Sequence, residues 1–230
     1  MSAPVLTIRP QPGCAQTVAA GSLVGLAIEP CPLFEIRPLA WDPPPPERID
    51  ALLFGSANAV RHGGPALDGF RGKPAYAVGE ATAAVAQAAG FTVAAAGRGN
   101  LQTLLDTLPS PLTLLRLPGA EHMPLACPPG IAVETRIAYE SVPLPLPAVT
   151  AALLSNGALV LLHSAAAARH FAGECDRLGV PRAGVSLAAL GPRIAAAAGE
   201  GWRAVRSAAE PREAALLALA HQMCHDLAGG

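Results

Sequence analysis

Apolar residues fall along the chain in short runs punctuated by glycine, proline and small polar residues. Val5–Ile8 has the length of a buried strand, and Gly13–Gly25 follows as a weakly amphipathic helix. Ala27-Ile28 and Leu33–Ile36 read as extended, because Pro30, Pro32 and Pro38 exclude a helix there. The run Asp42-Pro43-Pro44-Pro45-Pro46 is a stiff polyproline spacer. Beyond it, strands are predicted at Ile49–Phe54, Ala75–Val78, Phe91–Ala95 and Leu112–Leu117. They alternate with helices after Gly55-Ser56-Ala57-Asn58, at Glu80–Ala89 (stopped by Gly90) and at Leu101–Leu108, with a turn at Gly97–Gly99. Such alternation is the pattern of a parallel sheet with helices on its faces.

The pattern then repeats. The stretch from Asp50 to His62 is similar to the stretch from Ala158 to His170, so that Ser56 answers Ser164 and Arg61 answers Arg169 at the same spacing. Ala77-Val78-Gly79 answers Ala189-Leu190-Gly191, and Gly90-Phe91 answers Gly201-Trp202. Leu101–Leu108 matches a helix at Glu210–Ala220. Two copies are too few for a solenoid, so the expected fold is α/β with two similar parallel-sheet lobes. Val133–Tyr139, alternating Val, Thr, Ile and Tyr ahead of Pro143, Pro145 and Pro147, is the predicted connection.

Composition narrows the function. With 51% hydrophobic and 14% charged residues, the chain has ample apolar surface to offset the entropy of ordering, which excludes wholesale disorder. A net charge of −1 argues against nucleic acid as partner, since that needs a basic face. No run of 18 apolar residues occurs, and Val5–Ile8 is too short for a secretion leader, so neither membrane insertion nor export is expected. Cysteines 14, 31, 127, 175 and 224 are odd in number and scattered, which suits free thiols and a cytoplasmic location. Lys73 is the one lysine; the other basic residues are arginines, suited to gripping carboxylates.

In open α/β sheets ligands bind beyond the carboxyl ends of the strands, where helix N-termini present free N–H groups. One lobe places Ser56, Ala57 and Asn58 there, with Gly79 and Thr82 after the next strand; the other places His163-Ser164 and Gly191-Pro192-Arg193. The same Ser, Thr and Asn residues also serve as ordinary helix caps. Turns of both lobes facing one cleft would suit a ligand with several carboxylates. Other motifs fail: Gly97-Arg98-Gly99 is followed by Gln at 102 rather than a third glycine, and neither serine lies in Gly-x-Ser-x-Gly. His221 and His225 stand four apart on a helix but with Gln222 where a zincin has Glu, so no metal site is expected.

The ordered set formed by the Asp50–Arg61 segment, Tyr76–Ala83, Gly99-Asn100, Ile137–Glu140 and Leu190-Gly191-Pro192 resembles uroporphyrinogen-III synthase over nearly the whole chain. The resemblance implies two α/β lobes joined by a two-stranded ladder, with an active cleft between the lobes. One lobe would comprise residues 1–32 and 146–230, the other 40–132, with linking strands in 33–39 and 133–145. It implies a cofactor-free lyase acting as a cytoplasmic monomer. Its substrate would be hydroxymethylbilane, cyclised with inversion of ring D and loss of water. Tyr139 would be the proton donor to the leaving hydroxyl, and Ser56, Thr82 and Ser164 polar cleft positions. Departures from the family are Gly55 in place of Thr, Arg193-Ile194 after Gly-Pro, and Leu115-Arg116-Leu117-Pro118 without the usual Arg-Gly. A non-enzymatic two-lobed protein that binds or senses a carboxylate-rich ligand is the other class the sequence allows.

Overall fold

The computed structural model describes residues 3–97 and 99–228; Arg98, in the turn expected at Gly97–Gly99, lies outside the described residues. The chain forms two compact units, Met1–Glu35 with Val142–Gly230 and Ile36–Ser141. It opens with β1 (Val5–Thr7), α1 (Gly13–Leu23) and β2 (Ile28–Pro30), then leaves the first unit along β3 (Phe34–Pro38). The second unit is built from β4 (Ala51–Phe54), α2 (Ala57–His62), β5 (Pro74–Val78), α3 (Glu80–Ala88), β6 (Thr92–Gly97), α4 (Leu101–Leu105), β7 (Leu112–Arg116) and β8 (Ile131–Thr135). The chain returns along β9 (Tyr139–Pro143). It ends with α5 (Ala148–Ser155), β10 (Ala158–Leu162), α6 (Ala165–Leu178), β11 (Val185–Ala189), α7 (Pro192–Ala197), β12 (Ala204–Ser207) and α8 (Glu213–Ala228).

Each unit holds a five-stranded sheet, β12-β11-β10-β1-β2 in the first and β6-β5-β4-β7-β8 in the second. Every neighbouring pair in both sheets is parallel. β3 and β9 form a separate two-stranded antiparallel sheet that joins the lobes, flanked by the bonds Leu39 N–H to Ala138 O and Leu144 N–H to Leu33 O. The expected class, two parallel α/β lobes with a two-stranded link, is what the chain adopts.

The central strands are continuous apolar runs because both of their faces are covered. β4, β10 and β11 are buried at every position. Alternation along the strand sends successive side chains to opposite layers. In the first unit Leu6, Val160, Leu162 and Leu187 join Phe171 of α6 and Trp202, whereas Val5, Leu159, Leu161 and Ala188 join Leu216 and Leu217 of α8. In the second, Leu52, Phe54 and Leu115 pack with Phe70 and Phe91, while Ala51, Leu53 and Leu114 pack with Leu104 and Leu105 of α4. Aromatics are only 4% of the chain, yet stacked or edge-on pairs such as Phe171–Trp202 and Phe54–Phe91 sit inside these layers.

The predicted Val133–Tyr139 connection is not one strand. Ile131–Thr135 is instead the edge strand β8, in register with Leu112–Arg116 of β7, and β9 starts only at Tyr139. Between them Arg136 N–H donates to Arg116 O and Ala138 N–H to Pro118 O, so the chain hugs β7 before it turns to pair with β3. The alternating apolar pattern across 133–139 arises from two consecutive half-buried segments rather than one. The stiff run 42–46 carries no regular structure until the 3-10 turn Pro46–Arg48.

Where the chain re-enters the first unit, the Leu146 N–H donates to Glu174 of α6 at 2.7 Å, and Arg177 closes on the same carboxylate at 2.6 and 2.8 Å. Those bonds from Arg177, ahead of the opposing cost of burial, hold the Glu174 carboxyl at about 2. Leu161→Ala is expected to lower unfolding free energy by about 2–5 kcal/mol, since it leaves a cavity between β10 and α8. Leu23→Ala, at a side chain 89% exposed, should change it by less than ~0.5 kcal/mol. Urea titration of the two variants checks both values.

Candidate functional site

In each sheet the strand order reverses once. In the second unit the chain winds from β4 out through β5 to β6, then returns to the other side of β4 to lay down β7 and β8. Strands flanking such a reversal send their following loops in opposite directions, which opens a crevice at their carboxyl ends. A cavity of about 200 Å³ lies there, lined by Gly55 and Ser56 after β4, by Arg116 to Gly119 at the end of β7, and by Tyr139. Glu121 and His122 also line it.

Tyr139 is placed by backbone. A Cβ on Gly119 would stand 2.7 Å from Tyr139 Cε2, so only glycine there lets the ring lie against the chain. Ala120 N–H donates to Tyr139 O at 2.9 Å, and His122 Nδ1 lies 2.9 Å from Gly119 O. The His62 ring stands 6.0 Å from the tyrosine ring. Burial, and secondarily the charge of Arg61, pull the His62 pKa below its ordinary 6.5, so this imidazole is neutral at neutral pH. Among the described residues the Tyr139 hydroxyl makes no hydrogen bond, which leaves its proton available.

Ser56 caps α2, its oxygen accepting the Asn58 N–H at 3.2 Å; Ala57 and Asn58 begin the helix. The Asn58 side-chain oxygen faces Arg61 at 3.5 Å. Gly79 heads α3 at φ +78°, a left-handed geometry that a side chain would strain. Thr82 is buried in α3. Of the expected residues in this lobe, Ser56 and Tyr139 share the cavity; Ala57, Asn58, Gly79 and Thr82 are not among its lining.

The first unit reverses beside β10, with β1 on the other side, and here side chains fill the edge. Glu213, the first residue of α8, accepts from Arg9 at 3.0 Å and from the Thr17 hydroxyl at 2.6 Å. His163 Nε2 stands 3.2 and 3.3 Å from the two carboxylate oxygens. Burial alone would raise the Glu213 carboxyl, but the His163 and Thr17 bonds and the charges of His163 and Arg9 outweigh it and bring it to about 2. A carboxylate at a helix N-terminus is further favoured by the helix dipole. The His163 side chain is 8% exposed, and its Nδ1 is buried without a partner.

Ser164 caps α6, its oxygen accepting the Ala167 N–H at 3.1 Å. With Gly191, Pro192 and Arg193 it lines a second cavity of about 450 Å³, walled by Leu190, Ile194 and Pro211. All four expected residues of this lobe therefore come together. Arg193 is exposed and, among the described residues, unpaired.

Sequence reasoning missed Arg116 and the Arg9–Thr17–His163–Glu213 network. A charged residue closing an otherwise apolar strand was the available signal for the first. For the second there was none, since its members are remote along the chain. His221 and His225 lie on α8, and among the described residues no group of three or more His, Cys, Asp or Glu side chains is arranged to hold a metal. All five cysteines are free thiols.

The family described as Uroporphyrinogen-III synthase HemD matches residues 16–218 of the chain. No curated protein matches it. Among solved structures, uroporphyrinogen-III synthetase from Helicobacter pylori is similar at 20% identity and a TM-score of 0.67, covering 96% of this chain and 99% of that one. A mutant uroporphyrinogen III synthase from the extremely thermophilic bacterium Thermus thermophilus is similar at 17% identity and a TM-score of 0.54, with 97% and 99% covered. At these identities the likeness speaks for the fold.

Because the Glu213 carboxyl sits at about 2 when folded and near 4.5 otherwise, its stabilising contribution is complete above about pH 4.5 and fades as pH falls toward 2. Glu213→Gln should lower the melting temperature at pH 7 and flatten its decline between pH 4.5 and 2. Thermal scans of both proteins across that range measure this.

Proposed function

The chain belongs to the uroporphyrinogen-III synthase family, and we propose that Tyr139 and the polar turns at its strand ends carry out the family's reaction. The protein is a lyase of tetrapyrrole biosynthesis. It converts the linear hydroxymethylbilane, which carries acetate and propionate arms, into uroporphyrinogen III. The reaction begins when the hydroxyl on ring A departs as water and leaves an electrophilic azafulvene. The substituted α-carbon of ring D attacks it, giving a spiro-pyrrolenine that fragments and recloses with ring D inverted. The proton spent on the hydroxyl is balanced by the one released from carbon at the final closure, so the net loss is one water.

The chemistry asks mainly for orientation. A free chain closes at the unsubstituted position of ring D and gives the symmetric isomer, so the protein must hold a flexible polyanion in the conformation that leads to the spiro centre. What supports Tyr139 as the donor is its phenol without a hydrogen-bond partner in the cavity at the reversal of the second sheet. The His62 ring stands 6.0 Å from the tyrosine ring, and no hydrogen bond joins the two side chains among the described residues. Substrate binding is assigned to Ser56, Ala57, Asn58, Gly79 and Thr82 in one lobe and to Ser164, Gly191, Pro192 and Arg193 in the other. The capping serines have a hydroxyl hydrogen left to donate while their oxygens accept from the helix, and Arg193 offers an unpaired guanidinium to a carboxylate.

On the same reading the protein works in the cytoplasm as a monomer on a diffusible substrate, without nucleic acid or membrane. Its net charge of −1 suits no nucleic-acid partner, and among the described residues no helix is long and apolar enough to cross a membrane.

Freshly prepared hydroxymethylbilane should be converted to the type III isomer by the purified protein; type I alone, at the spontaneous rate, would refute the reading. A chelator should leave the rate unchanged. Tyr139→Phe keeps the ring and removes only the proton, so kcat should fall about 10²-fold, the low end for a positioned acid because the azafulvene also forms unaided. Its product should remain mostly type III and its melting temperature unchanged. A fully active Tyr139→Phe protein would assign the tyrosine to packing.

A further inference from the structure

The crevice of the second unit contains a charge that its own lobe leaves unanswered. Arg116, the last residue of β7, is only 7% exposed. Its Nε is sealed from solvent and meets no hydrogen-bond acceptor. Among the described residues its side chain makes no hydrogen bond or ion pair. Glu134 on the adjacent β8 is already engaged by Arg48 at 3.1 Å and Arg136 at 3.2 Å. Glu121, the one carboxylate among the cavity's lining residues, is exposed and unbonded to Arg116. A guanidinium cannot readily escape burial by giving up its proton, and a buried charge without a partner is strongly unfavourable. Burial lowers its pKa, with the Tyr139 phenol offsetting part of that effect. At the corresponding edge of the first unit, by contrast, Arg9 is neutralised by Glu213.

We propose that Arg116 is a carboxylate-binding residue that receives one acetate or propionate arm of the linear tetrapyrrole and so fixes the attached pyrrole beside Tyr139. This rests on the reading of the crevice as part of the substrate site. The cavity, about 200 Å³, is smaller than the ~300–1,000 Å³ of pockets that enclose a whole ligand, so it suits one arm rather than the full chain of rings. Gly55 and Gly119 leave its walls without side chains, and Ser56 adds a hydroxyl. A carboxylate entering there meets a largely buried, preformed cation whose side chain makes no other hydrogen bond or ion pair among the described residues, and a charge-assisted hydrogen bond is strengthened by such burial.

The test compares wild type, Arg116→Met and Arg116→Lys. Two readouts are used: steady-state kinetics with hydroxymethylbilane, and the rise in melting temperature caused by uroporphyrin III, a stable octacarboxylate. Arg116→Met should fold with a melting temperature no lower than wild type, because it removes an uncompensated charge from the interior. Its KM should rise roughly tenfold or more, kcat should fall less, and most of the uroporphyrin-induced stabilisation should vanish. Arg116→Lys keeps the charge without the fork and should recover part of both. Wild-type KM and ligand stabilisation in Arg116→Met would overturn the proposal, and so would an Arg116→Met protein that melts far below wild type or fails to fold, since the guanidinium would then be structural. If wild type makes no type III isomer, the assigned reaction fails; the uroporphyrin comparison still decides the role of Arg116.

Discussion

Parallel strands cannot be joined by tight turns; each needs a crossover, and a sheet flanked by helices on both faces must reverse its winding at some point. That requirement governs both lobes. β4 and β7 in one, and β10 and β1 in the other, flank the reversal, and the loops that follow them part at the carboxyl edge. The two edges are then treated differently. In the first lobe four side chains from β1's exit, α1, β10's exit and α8 close it with an internally neutralised network centred on Glu213. In the second a cavity remains beside Gly55, Ser56 and Gly119, with Tyr139 in its lining and Arg116 Nε buried without a partner. One topology thus yields a braced edge and a receptive one.

Ser56 and Ser164 show how a structural duty can coincide with the binding duty proposed for them. Each turns out of a fully buried strand and caps the next helix, a contribution of about 1 kcal/mol. The need for a cap places a hydroxyl at the carboxyl end of the strand regardless of any ligand. A binding surface that grows out of capping residues places few demands on sequence beyond those of folding. Large divergence in sequence, with similar folds at 20% and 17% identity, accords with that.

The lobes, their strand–helix alternation and the matched serines were legible because they rest on local rules. Runs such as Ala-Leu-Val-Leu-Leu fit only a doubly covered strand, and a small polar residue directly after one reads as a cap. The partition of Ile131–Pro143 into β8 and β9 was not legible, since its alternation is shared by an edge strand and a linking strand. Only the hydrogen bonds of Arg136 and Ala138 to the β7 edge separate them. Arg116 looks in sequence like a strand's polar exit, and its burial follows from tertiary packing. Arg9, Thr17, His163 and Glu213 meet through topology alone, beyond any window of periodicity. The resemblance to a known family named the reaction and Tyr139; the residues did not do so unaided.

The split of the first lobe between Met1–Glu35 and Val142–Gly230 sets the order in which the chain can be assembled at the ribosome. Residues 36–141 are contiguous, so their sheet can close as soon as they have emerged. β1 has two partners: β2 follows it within the same segment, whereas Leu159–Leu161 of β10 arrive only after the whole second lobe has been synthesised. Until then β1 can pair only with β2, and the edge it will turn to β10 stays unpaired. The β10-facing edge of the β1–β2 pair therefore stays open for the whole interval in which the second lobe is made, and the stability of the first lobe is gained only when Val142–Gly230 is in place.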